Sequence, residues 1–310
     1  MIRRLSFVIF VILIFFAGCM EKEIIRDYIP AVPAVEVRTP IIPNNKEIQD
    51  DFPVETVNEE NPPEVDLHSL SYENLVTYME EKYDHRKVRT FGENIEGVYT
   101  HLEIEEKVIA LTFDACGGNT GSGYDKELID FLIEEQVPAS LFINSRWIRE
   151  NPKQFRTLAQ TDLFEIQNHG HDHKPLSVEG RSVYNIKGTD SIAQVLDEVM
   201  KNQNEIFHMT GVKPKYFRSG TAYYDDVSLS MLKELGIKAV NFDLLGDAGA
   251  KFNRAQMVSS ADQARNGSIL LYHMNHPEKA VAEGIKLVVP MLREKGFHFV
   301  KLSDYDEYLK

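Results

Sequence analysis

Apolar and polar positions alternate in regular blocks from Val108 to Lys301. Short runs rich in β-branched and aromatic residues predict buried strands. The stretches between them repeat apolar residues at helical spacing, which predicts amphipathic helices. Strands are predicted over 108–113, 139–143, 164–168, 216–218, 238–242, 268–272 and 297–301, and helices over 124–135, 151–159, 191–209, 226–235, 255–264 and 280–294. Strands that alternate with helices indicate a parallel α/β sheet, either open or closed into a barrel.

The N-terminus has the layout of an export signal. A basic start precedes an apolar run from Leu5 to Phe16, which is short for a membrane-spanning helix. Ala17-Gly18-Cys19 follows, so the segment resembles a bacterial lipoprotein signal in which Cys19 would be lipidated, although Phe16 departs from the usual Leu. Residues 1–19 are therefore predicted to be a lipoprotein signal peptide. The alternatives are a plain secretory signal and an uncleaved anchor, and all three predict export.

The chain between the signal and the regular blocks has a different composition. Residues 20–69 hold seven of the chain's 13 prolines, and residues 21–66 hold 12 acidic and 4 basic side chains. Prolines interrupt helices and strands, and like charges repel, so this segment is predicted to be a disordered tether. Residues 70–104 are predicted to form an N-terminal extension with a helix over 72–82. The folded domain is predicted over 105–310.

The net charge argues against one class of partner, and the cysteine content argues against a disulfide framework. The chain of 310 residues carries 48 acidic and 34 basic side chains, a net charge of −14. Binding to a nucleic-acid backbone needs clustered Lys and Arg, so nucleic acid is not expected as a partner. The two cysteines are Cys19 and Cys116. With Cys19 processed, no disulfide framework is implied and Cys116 is expected to be an unpaired thiol.

Ionisable side chains follow five of the predicted strands. In chain order these are Asp114; His169, His171 and His173; Arg218; Asp243 and Asp247; and His273 and His276. The carboxyl ends of parallel strands meet at one edge, where α/β proteins bind their ligands. Five such strand ends therefore predict a catalytic rim.

Each of these residues also has a structural alternative. An Asp at a strand end is often a turn former or a helix cap, Arg218 could form a structural ion pair, and His273 could be a core residue. His169 and His173 are four residues apart, so both imidazoles could reach one cation. We expect His171 to face solvent or support the site, and His276 to be a loop residue. The Gly118–Gly123 segment lacks the Lys of a phosphate-binding loop and is expected to be a flexible turn.

Four motifs resemble those of the polysaccharide deacetylases of the NodB-homology type, the carbohydrate esterases of family four. They are Leu111-Thr112-Phe113-Asp114, His169-x3-His173, Phe217-Arg218 and Gly267-Ser268-Ile269-Leu270-Leu271-Tyr272-His273. The resemblance covers residues 108–302 and implies a distorted (β/α)7 barrel. It also implies the removal of N-acetyl groups from GlcNAc-type sugars of peptidoglycan or chitin, or of O-acetyl groups from xylan.

The resemblance implies a role for the strand-end residues and a divalent metal, often zinc. It implies that Asp114 is the general base and that Arg218 orients it. His169 and His173 would be metal ligands. His273 would be the general acid, tuned by either Asp243 or Asp247. A general base and a general acid suit amide hydrolysis, because the nitrogen leaves poorly unless it is protonated.

The chain departs from the family pattern at the third metal ligand. The family motif reads Thr-Phe-Asp-Asp-Gly with the second Asp on the metal, and Ala115 stands at that position. Asp-Ala-Cys-Gly-Gly resembles a divergent branch of the family. The metal could still bind through His169 and His173, with Asp114, Cys116 or water completing the shell. Otherwise the site is metal-free, or the domain binds sugar without catalysis.

The third and fourth motifs also differ from the family. Arg218-Ser219-Gly220-Thr221-Ala222 replaces the usual Arg-x-Pro-Tyr-Gly, and the usual Trp is absent near Phe242. The retained Asp114, Arg218 and His273 favour a hydrolase over a binding module. The sequence therefore predicts a lipid-anchored protein of the cell envelope that deacetylates cell-wall or extracellular polysaccharide by metal-assisted amide hydrolysis. The alternative is a non-catalytic carbohydrate-binding lipoprotein on a deacetylase fold.

Overall fold

The computed structural model of the protein describes residues 66–310. The predicted signal peptide of residues 1–19, with Cys19, and the predicted tether up to residue 65 lie outside the described residues. The described residues belong to one compact unit. None of the helices in this part of the chain has both the length and the apolar character needed to cross a bilayer.

The strands lie mostly where the apolar runs predict them. They are β1 (Phe91–Gly92), β2 (Val98–Tyr99), β3 (Val108–Ala115), β4 (Ala139–Ile143), β5 (Phe164–Asn168), β6 (Tyr216–Phe217), β7 (Tyr224–Asp225), β8 (Lys238–Val240), β9 (Leu244–Leu245), β10 (Ile269–His273) and β11 (His298–Val300). All seven predicted strands are present, as β3, β4, β5, β6, β8, β10 and β11. The sequence missed β1, β2, β7 and β9, which have two residues each and are too short to show an alternating pattern, although the equally short β6 was predicted.

The helices also follow the sequence pattern. They are α1 (Tyr72–Tyr83), α2 (Lys126–Glu134), α3 (Ser145–Glu150), α4 (Pro152–Ala159), α5 (Ile192–Thr210), α6 (Asp226–Glu234), α7 (Arg254–Ala261) and α8 (Val281–Glu294). Short 3-10 helices cover Leu67–Ser69, Gly118–Thr120 and Leu302–Tyr308. Only α3 among these α-helices was not predicted. It begins after Asn144, whose side chain accepts a hydrogen bond from the Arg146 N–H and so caps the helix.

The main sheet is parallel and is built around β3. Its strand order is β2-β8-β6-β5-β4-β3-β10-β9, and β11 also pairs with β3. Every residue of β3 is buried, because one face of the strand packs against helices and Val108 and Ala110 on the other face pack against residues of neighbouring strands. Among the described strands no ladder joins β2 to β9, so the sheet is a curled half-barrel. The structure confirms the parallel α/β sheet that the resemblance implies, but among the described strands this sheet does not close into a barrel.

The N-terminal extension is integrated into this fold. Strand β2 pairs in parallel with β8 and forms one edge of the main sheet. Helix α1 begins at the N-cap Ser71, which accepts a hydrogen bond from the Asn74 N–H, and it packs against α5. Leu75 and Met79 on its inner face join the core cluster that includes Val199. Residues 70–104 therefore help to complete the sheet that carries the site.

Candidate active site

The strand order brings the predicted rim residues together at the carboxyl edge of the sheet. Asp114 lies near the end of β3 and His273 ends β10, and the two residues face each other in the strand register. His169 follows β5 and Arg218 follows β6, and these strands are also neighbours. The prediction that side chains from separate strand ends converge is therefore met by these four residues.

A fully buried ion pair joins Arg218 to Asp114. One guanidinium nitrogen, Nη1, donates to Asp114 Oδ1 at 2.8 Å and to Thr112 Oγ1 at 3.0 Å. The other two nitrogens donate to the carbonyl oxygens of Val240 and Asn241 at 3.0 and 2.9 Å. These bonds leave the guanidinium no freedom to turn away, so Arg218 orients the carboxylate as the family resemblance implies.

The charge state of Asp114 follows from its neighbours. Burial raises the pKa of this carboxyl, but the charges of His169 and Arg218 outweigh burial and hold the pKa below its ordinary value. Asp114 is therefore a carboxylate at neutral pH. Because Arg218 occupies Oδ1, the second oxygen is the one turned toward His169, with Oδ2 3.5 Å from His169 Nε2.

His169 is arranged to use its Nε2 as a ligand atom. Its Nδ1 lies 2.9 Å from the carbonyl oxygen of Arg218, and a carbonyl can only accept, so Nδ1 carries the proton. Nε2 then has a free lone pair. Burial lowers the pKa of this imidazole, which keeps it in the neutral form that binds metals.

His173 approaches His169 through an unusual backbone conformation. Its φ of 61° lies in the left-handed region, where a residue with a side chain is uncommon. Gly220 packs against it so closely that a Cβ atom at position 220 would lie 2.4 Å from His173. The two imidazole rings are 4.9 Å apart and nearly perpendicular. The Nε2 atom of His173 is buried and has no hydrogen-bond partner.

Cys116 supplies a third donor atom beside the two imidazoles. Its Sγ lies 3.7 Å from His169 Nε2, and the ligand atoms of Cys116, His169 and His173 all lie within 4.8 Å of one another. Burial raises the pKa of the thiol, but the imidazoles of His173 and His273 outweigh burial and lower the pKa to about 6. An anionic sulfur next to an unpartnered imidazole nitrogen suits a divalent metal. Among the described residues, this set is a possible metal site.

His273 is paired with Asp247. The imidazole Nδ1 lies 2.9 Å from Asp247 Oδ1, and the backbone N–H of His273 donates to Oδ2 at 2.6 Å. Burial lowers the pKa of His273, but the buried carboxylate outweighs burial and raises the pKa well above its ordinary value. The imidazole therefore holds a proton at neutral pH, as a general acid requires.

Asp243 does not pair with His273. Its carboxylate accepts hydrogen bonds from Ser268 Oγ at 2.9 Å and from the Ile269 N–H at 2.8 Å. Those residues lie at the start of β10, and His273 lies at its end, roughly 13 Å away for a strand of this length. Of the two residues that the sequence suggested, Asp247 partners His273. The assignment of Asp243 to the catalytic set is corrected.

A buried carboxylate that the sequence did not single out holds the histidine loop. Glu198 in α5 accepts hydrogen bonds from the N–H groups of Asp172 at 2.8 Å and Lys174 at 3.2 Å. Its backbone oxygen accepts from the N–H of His171. These bonds flank His173 and fix its left-handed turn. The sequence held one signal for this residue, a charged side chain next to Val199 on the predicted buried face of the helix.

The remaining histidines lie outside the cluster, as expected. His171 contacts Arg149 at 3.2 Å on the surface, and His276 contacts Glu278 in the loop after β10. The Gly118–Gly123 segment begins with the short 3-10 helix Gly118–Thr120.

Comparison with known proteins bears on the predicted family. Residues 101–240 match the family model described as polysaccharide deacetylase. Over these residues the chain is similar to the polysaccharide deacetylases, which agrees with the resemblance that the sequence motifs carry. The match confirms the predicted resemblance to polysaccharide deacetylases, and the assignment to a divergent branch stays a prediction.

Individual relatives of this domain are distant. The peptidoglycan-N-acetylglucosamine deacetylase PgdA of Listeria monocytogenes is 25% identical over 210 residues, which are 66% of this chain and 40% of the relative. A family 4 carbohydrate esterase from Bacillus anthracis aligns with a TM-score of 0.53 at 25% identity, over 76% of this chain and 92% of that one. The chain spans about half or less of the length of the first curated relatives it matches.

One structural relative is a pseudoenzyme. A family 4 pseudoenzyme from Bacillus anthracis aligns with a TM-score of 0.56 at 17% identity, over 68% of this chain and 69% of that one. At this identity the likeness shows the fold alone. Whether this domain is active therefore depends on the side chains of its own site.

Proposed function

We propose that this protein is a deacetylase that hydrolyses N-acetyl groups of cell-wall or extracellular polysaccharide, with peptidoglycan as the leading substrate. The observation that carries the proposal is the pairing of a buried carboxylate, Asp114, with a protonated imidazole, His273, on adjacent strands beside the histidine pair. The similarity to peptidoglycan deacetylases supports the choice of substrate. A module that only binds sugar has no need for a base and an acid held in this way.

The residues of the site fit the two proton transfers of amide hydrolysis. Asp114 accepts a proton from the attacking water at Oδ2, because Arg218 already holds Oδ1. The water oxygen bonds to the acetyl carbon, and His273 donates its proton to the leaving nitrogen. The C–N bond breaks, which releases acetate and leaves a free amine on the sugar.

A divalent metal, which we propose to be zinc, would polarise the acetyl carbonyl and acidify a bound water. His169 and His173 would hold it through Nε2. The fit rests on the buried Nε2 of His173 without a partner and on the Nδ1 bond that fixes the tautomer of His169.

The test is the release of acetate from acetylated peptidoglycan fragments and from N-acetylglucosamine oligomers by the purified protein. We expect release that depends on added Zn²⁺ and stops with a chelator. Tight binding of the same oligomers without acetate release would instead support a carbohydrate-binding module. Acetylated xylan as a third substrate distinguishes amide from ester hydrolysis.

Replacing Asp247 is expected to change the pH profile. In Asp247→Asn the carboxylate that raises the pKa of His273 is gone, so the imidazole loses its proton at lower pH. A general acid works only while it is protonated. The alkaline limb of the kcat/KM profile should therefore shift to lower pH than in the wild type. Asp243→Asn provides the matched control, and its alkaline limb should coincide with that of the wild type. A shift in Asp243→Asn alone would contradict the assignment.

We also propose that the protein is exported and anchored to a membrane through a lipid on Cys19. The support is the sequence of residues 1–19 and the proline-rich acidic segment that follows. In cells, the wild type is expected in the membrane fraction and to incorporate labelled fatty acid. Cys19→Ser should lose the label and much of the membrane association. Equal labelling of the two proteins would overturn this proposal.

A further inference from the structure

We infer that Cys116 is the third protein ligand of the metal site, so that a thiolate takes the place of the carboxylate that the family motif would supply. The inference deepens the proposed function by naming the ligand set of the same site. It predicts a Cys/His/His shell with a preference for borderline divalent cations such as Zn²⁺ and Co²⁺.

The separation of the donor atoms matches a tetrahedral site. Zinc bonds to sulfur at about 2.3 Å and to imidazole nitrogen at about 2.0–2.1 Å, so tetrahedral ligands lie about 3.3–3.7 Å apart. Cys116 Sγ and His169 Nε2 are 3.7 Å apart, and the cluster with His173 stays within 4.8 Å. A cation that bonds to all three atoms would draw His173 toward the other two ligands.

A thiol–imidazole hydrogen bond explains the cluster less well. Such a bond would join Cys116 to one histidine and leave the other nitrogen unsatisfied. The Nε2 of His173 is buried without a partner, and a buried polar atom without a hydrogen bond is costly. A single cation satisfies the thiolate and both nitrogens together.

The backbone explains why position 116 supplies the ligand and position 115 does not. Successive side chains in a strand point to opposite faces, so Asp114 and Ala115 point apart, and Cys116 follows the end of the strand with its Sγ 3.7 Å from His169 Nε2. The methyl group of Ala115 is fully buried in the hydrophobic core. Because methyl is not a donor, the only side chains on this turn that can reach a metal are those of its two neighbours.

The segment after Cys116 is held in place. Arg146 Nη2 donates to the Cys116 carbonyl oxygen at 3.2 Å. Gly117 has a φ of 69°, and a Cβ atom there would lie 2.4 Å from the backbone nitrogen of Trp147. A larger residue at position 117 would push the turn, and the thiol with it, away from the histidines.

Three protein ligands suit a catalytic site, because they leave a coordination position open. Asp114 is the nearest carboxylate, with Oδ2 3.5 Å from His169 Nε2. Asp114 does not belong to the set whose ligand atoms all lie within 4.8 Å of one another, and Arg218 holds its other oxygen, so we assign it as the base rather than as a fourth ligand. The ligand and base functions are thus divided between Cys116 and Asp114.

The experiment is a titration of the chelator-treated full chain with Co²⁺, followed by absorption spectroscopy. We expect one Co²⁺ per chain and a sulfur-to-cobalt charge-transfer band in the near ultraviolet. Cys116→Ala and Cys116→Ser should lose the band and bind Zn²⁺ more than about 100-fold more weakly. Cys116→Asp should bind metal without the band. His276→Ala, a histidine outside the cluster, should keep both the band and the affinity.

Alkylation provides a second measurement that does not depend on the spectrum. Bound Zn²⁺ should protect Cys116 from iodoacetamide in peptide mapping, and chelation should remove the protection. Metal binding that is equally tight in Cys116→Ala, or a wild-type cobalt spectrum without the band, would overturn the inference. The band without acetate release would overturn the proposed activity and leave the ligand set intact, so the two failures are distinguishable.

Discussion

Asp114→Asn is expected to reduce kcat for acetate release by about 10²- to 10⁴-fold, the range that a general base contributes. An amide at position 114 can still accept the Arg218 hydrogen bond, but it cannot take a proton from water. The wild-type carboxyl is ready for that task, because its histidine and arginine neighbours hold its pKa below the ordinary value. The measurement is steady-state acetate release on N-acetylglucosamine oligomers with saturating Zn²⁺.

The control for this variant is Asp130→Asn, which makes the same chemical change at an exposed carboxylate of α2 that pairs with Lys126. It should have wild-type kcat. Co²⁺ titration of Asp114→Asn should still give the charge-transfer band, which separates a lost base from a lost metal site. An Asp114→Asn enzyme with wild-type kcat would exclude Asp114 as the base.

Arg218→Met is expected to lower the free energy of unfolding by about 3–5 kcal/mol, the penalty for leaving one partner of a buried ion pair without the other. The guanidinium is fully buried and lies 4.1 Å from the Phe142 ring centroid. Its loss leaves the buried Asp114 carboxylate without its ion-pair partner. The backbone oxygens of Val240 and Asn241 also lose their hydrogen bonds to the guanidinium. Urea denaturation followed by circular dichroism measures the change.

The double variant Asp114→Asn/Arg218→Met should lose less stability than the sum of the two single variants, because no unpaired charge then remains buried. Arg293→Met removes an exposed arginine that pairs with Glu135, and it should cost no more than about 1 kcal/mol. If Arg218→Met were as mild as Arg293→Met, the buried pair would not be the structural centre of the site.

The alternation of apolar blocks correctly predicted the parallel sheet, because long strands and helices carry a repeated pattern of residues. The strand-end residues Asp114, His169, Arg218 and His273 were predicted for the same reason, since parallel strands bring their carboxyl ends to one edge. Short elements escaped the prediction. Strand β2, which extends the sheet beyond β8, has too few residues to show a period.

Contacts between distant segments were not available from spacing alone. The choice between Asp243 and Asp247 depends on which end of β10 each carboxylate reaches, and the two aspartates are only four residues apart in sequence. Glu198 is likewise defined by the loop that it caps, which lies more than twenty residues earlier in the chain.

The sequence by itself determined the class of fold, the rim of ionisable residues, the deacetylase motifs and the gap left by Ala115. Only the tertiary structure placed the Cys116 sulfur beside the nitrogens of His169 and His173. The physical reason is that a ligand set depends on distances of a few ångströms between side chains from different strands. Such distances depend on strand pairing, on the left-handed turn at His173 and on its close packing against Gly220.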